Sequence, residues 1–499
     1  MRIIDCHVHP QPLADYDSGI QRLLNAMRSH GIERFIASDL CDVWVAFPEA
    51  GSVARANERL QKAAQDSNGE IQYLVYLNPQ LENWQSELEK HRCTACGIKL
   101  WISLSTPENG FARTIDVLHE AARINLPVLI HTFERTDGVV PGAAGVEEII
   151  MLAEAAPKTV IVAAHACGSW RKAIKNAARF PQNLYFDVSG CYPERNMVKR
   201  LTEAFGADRI LYGSDAYGRS FGSQLAKVLY AELPPDDMDK ILYRNAVKIF
   251  HLPEHAPAMP LDRPRWDVPE EAGDYYCFAG KCDYFDHSAE LAELAEQAAD
   301  NGYTALYAPD LSALHAADRV EANRAYAQKA AAYPAVKPLA LVNPAAPEAL
   351  KQLENMENLA GIFISPYLEN YPLDYNSARE FFDLCAARKI PVFINTAVSD
   401  DRFRSRNLNS HPVSNQEIAD FIAQAPENQY IFQGAAHYLS AAETLPQWCY
   451  WECSRLSDGE YAMENLMQSK PHLLKQLRYG SEYPFRNYAT TKAIMHGLI

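Results

Sequence analysis

The sequence has no long apolar run and no excess of positive charge. None of its 499 residues falls in an apolar stretch approaching the roughly 18 residues of a membrane-spanning helix, so we expect no membrane segment. Acidic residues outnumber basic ones, 63 to 47, for a formal net charge of −16. This balance argues against a general binder of nucleic acids or anionic membranes. A glycine-rich phosphate loop and a dinucleotide fingerprint are also missing, so we expect a small-molecule substrate and no nucleotide cofactor.

Cysteine is present, but without a pattern of paired thiols. The 11 cysteines are an odd number scattered along the chain. The first apolar stretch is interrupted by Asp5 and His7, which is unlike a signal peptide. We therefore expect free thiols and a cytoplasmic protein. Cys93 and Cys96 have the spacing of a metal clip or redox pair, but only one pair with this spacing occurs, so we assign it neither role.

The chain begins with a pattern typical of metal ligands. Residues 3–10, Ile-Ile-Asp-Cys-His-Val-His-Pro, place His7 and His9 in a predicted strand. Side chains two residues apart in a strand share a face, and neutral imidazole is a common zinc ligand. The pattern therefore indicates a metal site. Two unrelated surface histidines would give the same pattern, so the prediction requires further ligands.

Further candidates stand within or at the end of apolar runs. Lys99 lies within the run at 97–101, and His131, His165 and Asp215 each end a run of their own. A strand buried on both faces is a continuous apolar run, and polar residues at its carboxyl end face the mouth of a barrel. Each residue alone is more often structural. Together they predict one site at a barrel mouth.

These motifs resemble those of the amidohydrolase superfamily, in particular its compact amidohydrolase-related barrels. The resemblance covers residues 1–255 and rests on the motifs IIDCHVHP, GIKLW, VLIHT, AAHACG and YGSDAYG, followed by RNAVKIF. It implies a metal-dependent enzyme with metal ligands at His7, His9, His131 and Asp215. It also implies that His165 is either a ligand of a second metal or a catalytic group that polarises the substrate.

The resemblance leaves the number of metal ions open. Lys99 occupies the position at which binuclear members carry a carboxylated lysine that bridges two ions. If Lys99 is carboxylated, His131 and His165 would hold the second ion; otherwise a single ion would leave His165 free for acid–base chemistry. In both arrangements the metal lowers the pKa of bound water towards ~7, and Asp215 acts as general acid and base. We expect zinc, with manganese as the alternative.

The chain is organised as a duplication. Strand and helix patterns alternate over the first half as in a (β/α)8 barrel. Five prolines in 251–271 predict a linker. Downstream, IPVFINT repeats LPVLIHT and YGSE repeats YGSD at a separation of roughly 270 residues. We predict an α/β protein of two tandem (β/α)8 TIM-type barrels, with a catalytic domain at 1–252, a Pro-rich linker at 253–271 and a degenerate, non-catalytic barrel at 272–499.

The second copy lacks most of the ligand set. We align Lys99 with Phe363 and His131 with Asn395, and we align the first two histidines with Gly280 and Cys282. Metal-competent side chains remain only at His437 and Glu482, aligned with His165 and Asp215. Two ligands are too few to close a zinc or manganese site. The resemblance implies barrels that pair, so we expect a pseudo-dimer within one chain and leave further oligomerisation open.

Substrate contacts are expected on the segments that follow the ligand strands. Three arginines there suit a carboxylate-bearing molecule, although each alone is as readily a solvated surface charge; the candidates are Arg135, Trp170, Arg171, Tyr217 and Arg219. We predict a metal-dependent hydrolase that cleaves an amide, ester or lactone bond of such a molecule. The alternatives are a decarboxylase or hydratase with one metal, and a non-catalytic binding or scaffold protein.

Overall fold

The structure of the protein is a computed structural model. It describes residues 1–10, 15–190, 192–253, 273–400, 402, 404–452, 454–455 and 462–495. The chain divides into two compact units, Met1–Arg265 and Trp266–Ile499. The predicted linker at 253–271 lies, except for Pro253, outside the described residues. No helix of the described ranges is both long and apolar enough to cross a membrane.

The first unit is built around an eight-stranded parallel sheet. Its strands are short apolar runs, almost all buried, as expected for a parallel sheet covered on both faces. In chain order, which is also the sheet order, they are β1 Ile4–Val8, β2 Arg34–Ala37, β3 Ile71–Leu77, β4 Gly97–Leu100, β5 Val128–Ile130, β6 Ile161–Ala163, β7 Leu184–Asp187 and β8 Ile210–Leu211. The Cys6 N–H donates to the Tyr212 carbonyl at 3.0 Å, and the sheet thereby closes into a barrel.

Helices follow the strands, and most of them bury one face. In α2, for example, the buried residues Val53, Ala56 and Leu60 recur at helical spacing. The helices of the unit are α1 Tyr16–Ser29, α2 Ala50–Asp66, α3 Trp84–His91, α4 Ala112–Arg123, α5 Val146–Ala155, α6 Trp170–Lys175, α7 Met197–Phe205, α8 Phe221–Leu229, α9 Pro235–Asp239 and α10 Asn245–Ile249. α10 packs Ile249 into the same apolar core as Ile4 and Leu211.

The second unit repeats this arrangement. The strands, again parallel and in chain order, are β9 Gly273–Asp274, β10 Ala305–Pro309, β11 Val336–Leu341, β12 Gly361–Ile364, β13 Val392–Asn395, β14 Tyr430–Gln433, β15 Cys449–Glu452 and β16 Leu477–Arg478. The Tyr275 N–H donates to the Tyr479 carbonyl at 2.8 Å, the counterpart of the closing bond in the first barrel. The prediction of two tandem (β/α)8 barrels is confirmed.

The helices of the second unit also follow its strands. They are α11 Leu291–Asp300, α12 Arg319–Ala330, α13 Ala349–Glu354, α14 Pro366–Glu369, α15 Arg379–Ala387, α16 Asn415–Gln424, α17 Ala436–Ala441, α18 Ala462–Ser469 and α19 Tyr488–Met495. Phe381 and Phe382 of α15 and Phe421 of α16 are buried in one apolar core with Phe432 and Trp451 of the strands. This core, like that of the first unit, forms within the unit itself.

One hydrogen bond at the start of each barrel fixes the correspondence between the units. In the first barrel, the Ser214 N–H donates to Asp5 Oδ1 at 3.0 Å. In the second, the Ser481 N–H donates to Asp274 Oδ1 at 2.9 Å. The two aspartates are therefore equivalent, and so are the residues that follow them.

This correspondence corrects the sequence alignment of the first strand. His7 is equivalent to Tyr276 and His9 to Phe278, because the strands run in the same register from the two aspartates. The alignment of the histidines with Gly280 and Cys282 was wrong. The segment at the start of the second unit has no His-x-His pattern, so the sequence offered nothing that could fix its register.

Candidate metal centre

Three of the predicted ligands converge at the mouth of the first barrel. The Nε2 atoms of His7 and His9, both on or directly after β1, lie 3.1 Å apart. Asp215 follows β8, and its Oδ1 lies 3.5 Å from His9 Nε2 and 3.7 Å from His7 Nε2. Ligands held at 2.0–2.2 Å by one tetrahedral zinc ion lie roughly 3.4 Å from each other. The spacing of these three atoms therefore fits a single metal ion.

The remaining predicted ligands lie beside this group. His131 follows β5 and His165 follows β6, and His131 Nδ1 is 3.2 Å from His165 Nε2. The rings of His165 and His7 stack with their centroids 5.0 Å apart. Lys99 of β4 brings its Nζ within 2.8 Å of His7 Nε2. The fold thus brings together all six residues that the sequence predicts as ligands.

Neighbouring oxygens decide which nitrogen of three histidines carries the proton. Each Nδ1 faces an acceptor at 2.8–3.1 Å: the Asp187 carboxylate for His7, the Ser38 carbonyl for His9 and the Ser189 carbonyl for His165. A carbonyl or carboxylate oxygen only accepts hydrogen bonds, so Nδ1 must donate. The three Nε2 lone pairs are thereby left to face the centre of the site.

Burial keeps these histidines neutral. It lowers the pKa of His7, His9 and His165 well below the ordinary value for histidine, and it lowers that of His131 to about 3. The neighbouring cationic side chains add to the effect. Neutral imidazole is the form that binds metals. Converging neutral nitrogens and a carboxylate are the donor set of a divalent cation.

Lys99 is an unusual neighbour for this set. Its side chain is fully buried inside the barrel, and burial lowers its pKa to about 8, against the opposing influence of Asp187 and Asp215. An amine with a lowered pKa is more nucleophilic near neutral pH than an ordinary lysine. Lys99 is thus suited to carboxylation, as the binuclear arrangement requires.

The ligand segments adopt left-handed backbone conformations. Asp215 has φ 69°, and the consecutive residues His165, Ala166 and Cys167 have φ 54°, 48° and 63°. Each such residue costs about 1–2 kcal/mol, and strain of this kind clusters at functional sites. Gly190 has φ +58°, and a Cβ at this position would lie 2.6 Å from His165 Nδ1. Only glycine therefore fits beside the histidine.

The comparison with protein families decides which family the first unit represents. A sequence profile of the amidohydrolase family matches residues 4–252. The first unit of this chain belongs to the amidohydrolase family. The family is metal-dependent, in agreement with the converging histidines and aspartate of this amidohydrolase unit. A comparison with curated proteins gave no match.

Solved structures with similarity to this chain are named for different reactions. A 2,6-dihydroxybenzoate decarboxylase from Rhizobium is 17% identical, with 50% of this chain and 99% of that chain covered and a TM-score of 0.41. A 4-oxalomesaconate hydratase from Rhodopseudomonas palustris is 15% identical, with 50% and 95% covered and a TM-score of 0.38. A proposed 2-pyrone-4,6-dicarboxylic acid hydrolase from Pseudomonas putida is 18% identical, with 51% and 99% covered and a TM-score of 0.38. Sequence identities and TM-scores this low do not assign a reaction to this chain.

The sequence analysis missed three polar residues that contact the ligands of the amidohydrolase unit: Ser38, Asp187 and Ser189. They hold the Nδ1 sides of the histidines. The sequence did contain a signal for Asp187. It stands in the run Leu-Tyr-Phe-Asp-Val-Ser as a charged residue among mostly apolar ones, as Lys99 does in its own strand. A carboxylate in a buried strand needs a partner, and the imidazole of His7 is that partner.

Aromatic rings line the mouth beside the ligands. The ring of Trp44, in the loop between β2 and α2, lies edge-on to His9 with centroids 5.5 Å apart. It also lies 6.3 Å from the ring of Trp101 and 6.0 Å from that of Tyr217. Trp44 remains 38% exposed, although three rings surround it. Only Tyr217 among these aromatic residues was predicted as a substrate contact.

The predicted substrate residues Trp170 and Arg171 are engaged with a carboxylate. Arg171 Nη1 donates to Glu194 Oε2 at 2.9 Å, and Trp170 Nε1 donates to the same oxygen at 3.0 Å. The Arg171 guanidinium also lies 4.2 Å from the centroid of the Trp170 ring. Because Glu194 neutralises its charge, Arg171 is a weaker candidate for binding a substrate carboxylate than the sequence indicated.

The other two predicted arginines differ in their exposure. Arg135 is exposed in a short hairpin after β5, with its guanidinium 5.4 Å from the Phe133 ring. Arg219 is partly buried, and its backbone N–H donates to the Asp215 carbonyl at 3.1 Å. Arg219 is thus tied directly to a ligand segment of the site, whereas Arg135 lies on the outer hairpin.

The mouth of the second barrel is organised around an ion-paired carboxylate. Glu482, the equivalent of Asp215, is fully buried and accepts a hydrogen bond from the Ser399 N–H at 2.7 Å. Its oxygens lie 3.4 Å from Arg455 Nη1 and 3.2 Å from Arg486 Nε. Arginine side chains thus supply positive charge at this position. Within the described part of the second unit, no three histidine, cysteine or acidic ligand atoms converge.

The equivalent of His165 also differs from the sequence alignment. The Thr132 hydroxyl donates to the Ala164 carbonyl, and the Thr396 hydroxyl donates to the Gln433 carbonyl at 2.8 Å. His165 is therefore equivalent to Gly434, and the alignment with His437 was wrong. His437 lies three residues further on, exposed on α17. The alignment failed because an identical Ala-Ala-His triplet occurs at a shifted position.

Proposed function

We propose that the amidohydrolase unit is a metal-dependent hydrolase that cleaves an ester, lactone or amide bond of a small, carboxylate-bearing molecule. The proposal rests on one observation: the Nε2 atoms of His7 and His9 and the Oδ1 of Asp215 converge within 3.1–3.7 Å. The donors fit zinc or manganese, with zinc as the first expectation. Such an ion, when bound, supplies a water molecule of lowered pKa and polarises the substrate carbonyl.

Asp215 is the residue best suited to move the proton of the attacking water. Its side chain is 24% exposed, whereas that of His7 is fully buried, so it borders both the ligand cluster and the mouth. A carboxylate at this boundary accepts the proton from water and returns it to the leaving group. His165 in turn presents an Nε2 lone pair, because its Nδ1 donates to the Ser189 carbonyl. It acts as a metal ligand or proton acceptor in this form, and not as a proton donor to the substrate.

The surroundings of the mouth favour a planar acid as the substrate. Trp44, Trp101 and Tyr217 offer ring faces and edges against which a flat, unsaturated group would pack. Arg219 follows Asp215 on the same segment and would bind the carboxylate, with Arg135 as a second candidate at the rim. The proposed substrate therefore combines a carboxylate with a planar part next to the bond that is cleaved.

Replacing Lys99 with alanine tests whether the site holds two ions. If Lys99 is carboxylated and bridges them, we expect the variant to retain one metal equivalent of the two in the wild type, and to lose activity at least about tenfold. Metal content is measured by plasma mass spectrometry after purification without chelator. Lys90→Ala, at an exposed position on α3, is the control and should match the wild type. One metal equivalent in both proteins would instead favour the single-ion arrangement.

A decarboxylase with one ion is the second candidate, and one contact favours it. An uncarboxylated Lys99, whose Nζ lies 2.8 Å from His7 Nε2, would not bridge two ions. A single ion would then lie on His7, His9, His131 and Asp215. His165 presents an Nε2 lone pair, so it would first have to take up a proton before delivering it to the carbon that loses carbon dioxide.

The direction of proton flow separates the candidate reactions. The assay follows a pH indicator in a weakly buffered solution at pH 6. Hydrolysis of an ester or lactone to an ionised acid releases a proton, and decarboxylation consumes one. Hydration neither releases nor consumes a proton. We expect proton release with planar carboxylated lactones or esters, in a panel that also contains hydroxybenzoates and unsaturated diacids. Chelator-treated protein serves as the control. Proton uptake with release of carbon dioxide would overturn the hydrolase proposal in favour of the decarboxylase.

A further inference from the structure

Asp187 is a buried carboxylate to which the proposed reaction gives no role. It ends β7 and is fully buried. Its Oδ2 accepts a hydrogen bond from His7 Nδ1 at 2.8 Å. Its Oδ1 accepts from the backbone N–H of His165 at 3.0 Å and from that of Ser189 at 2.9 Å. One carboxylate therefore contacts two of the predicted ligands, His7 of β1 and His165, which follows β6.

Ser189 extends this contact to the second histidine ring. Its hydroxyl donates to Asp187 Oδ1 at 2.5 Å and lies 2.9 Å from His7 Nδ1 and 3.0 Å from His165 Nδ1. Its carbonyl accepts from His165 Nδ1 at 3.1 Å. The turn of residues 187–189 thus presents hydrogen-bond acceptors to the Nδ1 atoms of both rings. The Ser189 hydroxyl directs its own proton to Asp187 and so does not compete as a donor.

We propose that Asp187 is a positioning residue that holds His7, and through Ser189 also His165, with the proton on Nδ1. A neutral imidazole has one such proton, so an acceptor at Nδ1 leaves the Nε2 lone pair for a metal. Outer partners of this kind change metal affinity by about 10–100-fold. The inference rests on the proposed metal centre, but it does not depend on which reaction that centre catalyses.

Asp187 also lies with His7 and His165 in a second group of metal-competent atoms, all within 4.8 Å of one another. Its approach to His7 argues against a role as a ligand. Asp187 contacts Nδ1, whereas His9 and Asp215 converge on Nε2 of the same ring. An ion bound at Nε2 would therefore lie at a different edge of the imidazole from the carboxylate, which orients the ring.

The second barrel contains the same carboxylate without a histidine. Glu452 ends β15, is fully buried, and accepts hydrogen bonds from the backbone N–H groups of Ser454 and Gly434, the latter at 3.5 Å. These contacts match those of Asp187 with Ser189 and His165. In place of His7 stands a tyrosine. The carboxylate thus accepts matching backbone hydrogen bonds in both barrels, and among the described residues only Asp187 also contacts an imidazole.

This pair of residues permits a matched experiment on the full-length protein. In Asp187→Asn, the amide oxygen retains the backbone donors while the amide N–H₂ faces His7 Nδ1, which must then accept and move its proton to Nε2. We expect zinc affinity, measured by competition with a chromogenic chelator, to fall about 10–100-fold. Glu452→Gln makes the same change in the second barrel and should leave zinc affinity unchanged.

A second measurement reads the protonation directly. In metal-free protein with ¹⁵N-labelled histidine, the His7 and His165 signals should report protonated Nδ1, and Asp187→Asn should move His7 to protonated Nε2. Wild-type His7 protonated on Nε2 overturns the inference, even if the variant does not fold. So does an Asp187→Asn protein that binds zinc like the wild type and loses only as much thermal stability as Glu452→Gln. Failure of the wild type to bind any divalent metal would instead overturn the proposed function, which the tautomer measurement does not test.

Discussion

Replacing His7 and His9 together with alanine is expected to remove the bound metal and to reduce kcat/KM at least about a thousandfold. Both Nε2 atoms belong to the same three-atom cluster, and the change leaves Asp215 as its only member. One carboxylate does not hold a divalent ion in a site built for three or four ligands. Without the ion, the attacking water keeps a pKa near that of bulk water, about 15.7.

The measurement pairs metal content with turnover of the substrate identified by proton release. His437→Ala is the matched control, because His437 is an exposed histidine in the second unit and lies outside any ligand cluster of the described residues. It should retain full metal content and activity. A double variant that contains no metal but turns over substrate at the wild-type rate would refute the metal centre.

Replacing Glu482 with alanine is expected to destabilise the second unit by about 3–5 kcal/mol, the usual cost of removing one partner from a buried ion pair. Glu482 is fully buried, and the side chain of Arg486 beside it is only 4% exposed. The variant removes the carboxylate that pairs with this guanidinium, in a site that water barely reaches. It also removes the acceptor of the Ser399 N–H.

Urea unfolding followed by hydrogen exchange of peptides from the second unit measures this loss. Glu321→Ala is the control: Glu321 pairs with Arg324 on the surface of α12, where both side chains are more than half exposed, and its removal should cost less than about 1 kcal/mol. Metal content should not change in either variant. A loss below about 1 kcal/mol for Glu482→Ala would show that the ion pair does not support the second barrel.

The sequence was sufficient to predict the two barrels and the metal-competent residues of the first. Apolar runs alternating with helical patterns specify a parallel sheet, because each strand is buried on both faces. Ligands that end such runs must meet, since the carboxyl ends of parallel strands lie at one end of the barrel. His131 Nδ1 and His165 Nε2 lie 3.2 Å apart because the two residues follow neighbouring strands.

The register of the strands in the second copy could not be predicted from the sequence. Its first strand retains the equivalent of Asp5 but none of the histidines, and its sixth strand is followed by an Ala-Ala-His triplet at a shifted position. Only the paired contacts, such as Ser481 with Asp274, reveal the true equivalences. The second unit has the hydrogen bonds that hold the strand ends of the first, but not the side chains on which the alignment relied.

The sequence by itself determined which side chains of metal-ligand type stand at the strand ends. The tertiary structure decided which ring nitrogen of the histidines carries the proton. It also decided which arginine charges are neutralised by a neighbouring carboxylate. His7 and Asp187 are 180 positions apart, and no local pattern connects them. Arg171 has the sequence context of a substrate contact, yet Glu194, 23 positions later, takes up its charge. Periodicity sets where a side chain points, whereas a hydrogen-bond partner depends on which strands the closed barrel brings side by side.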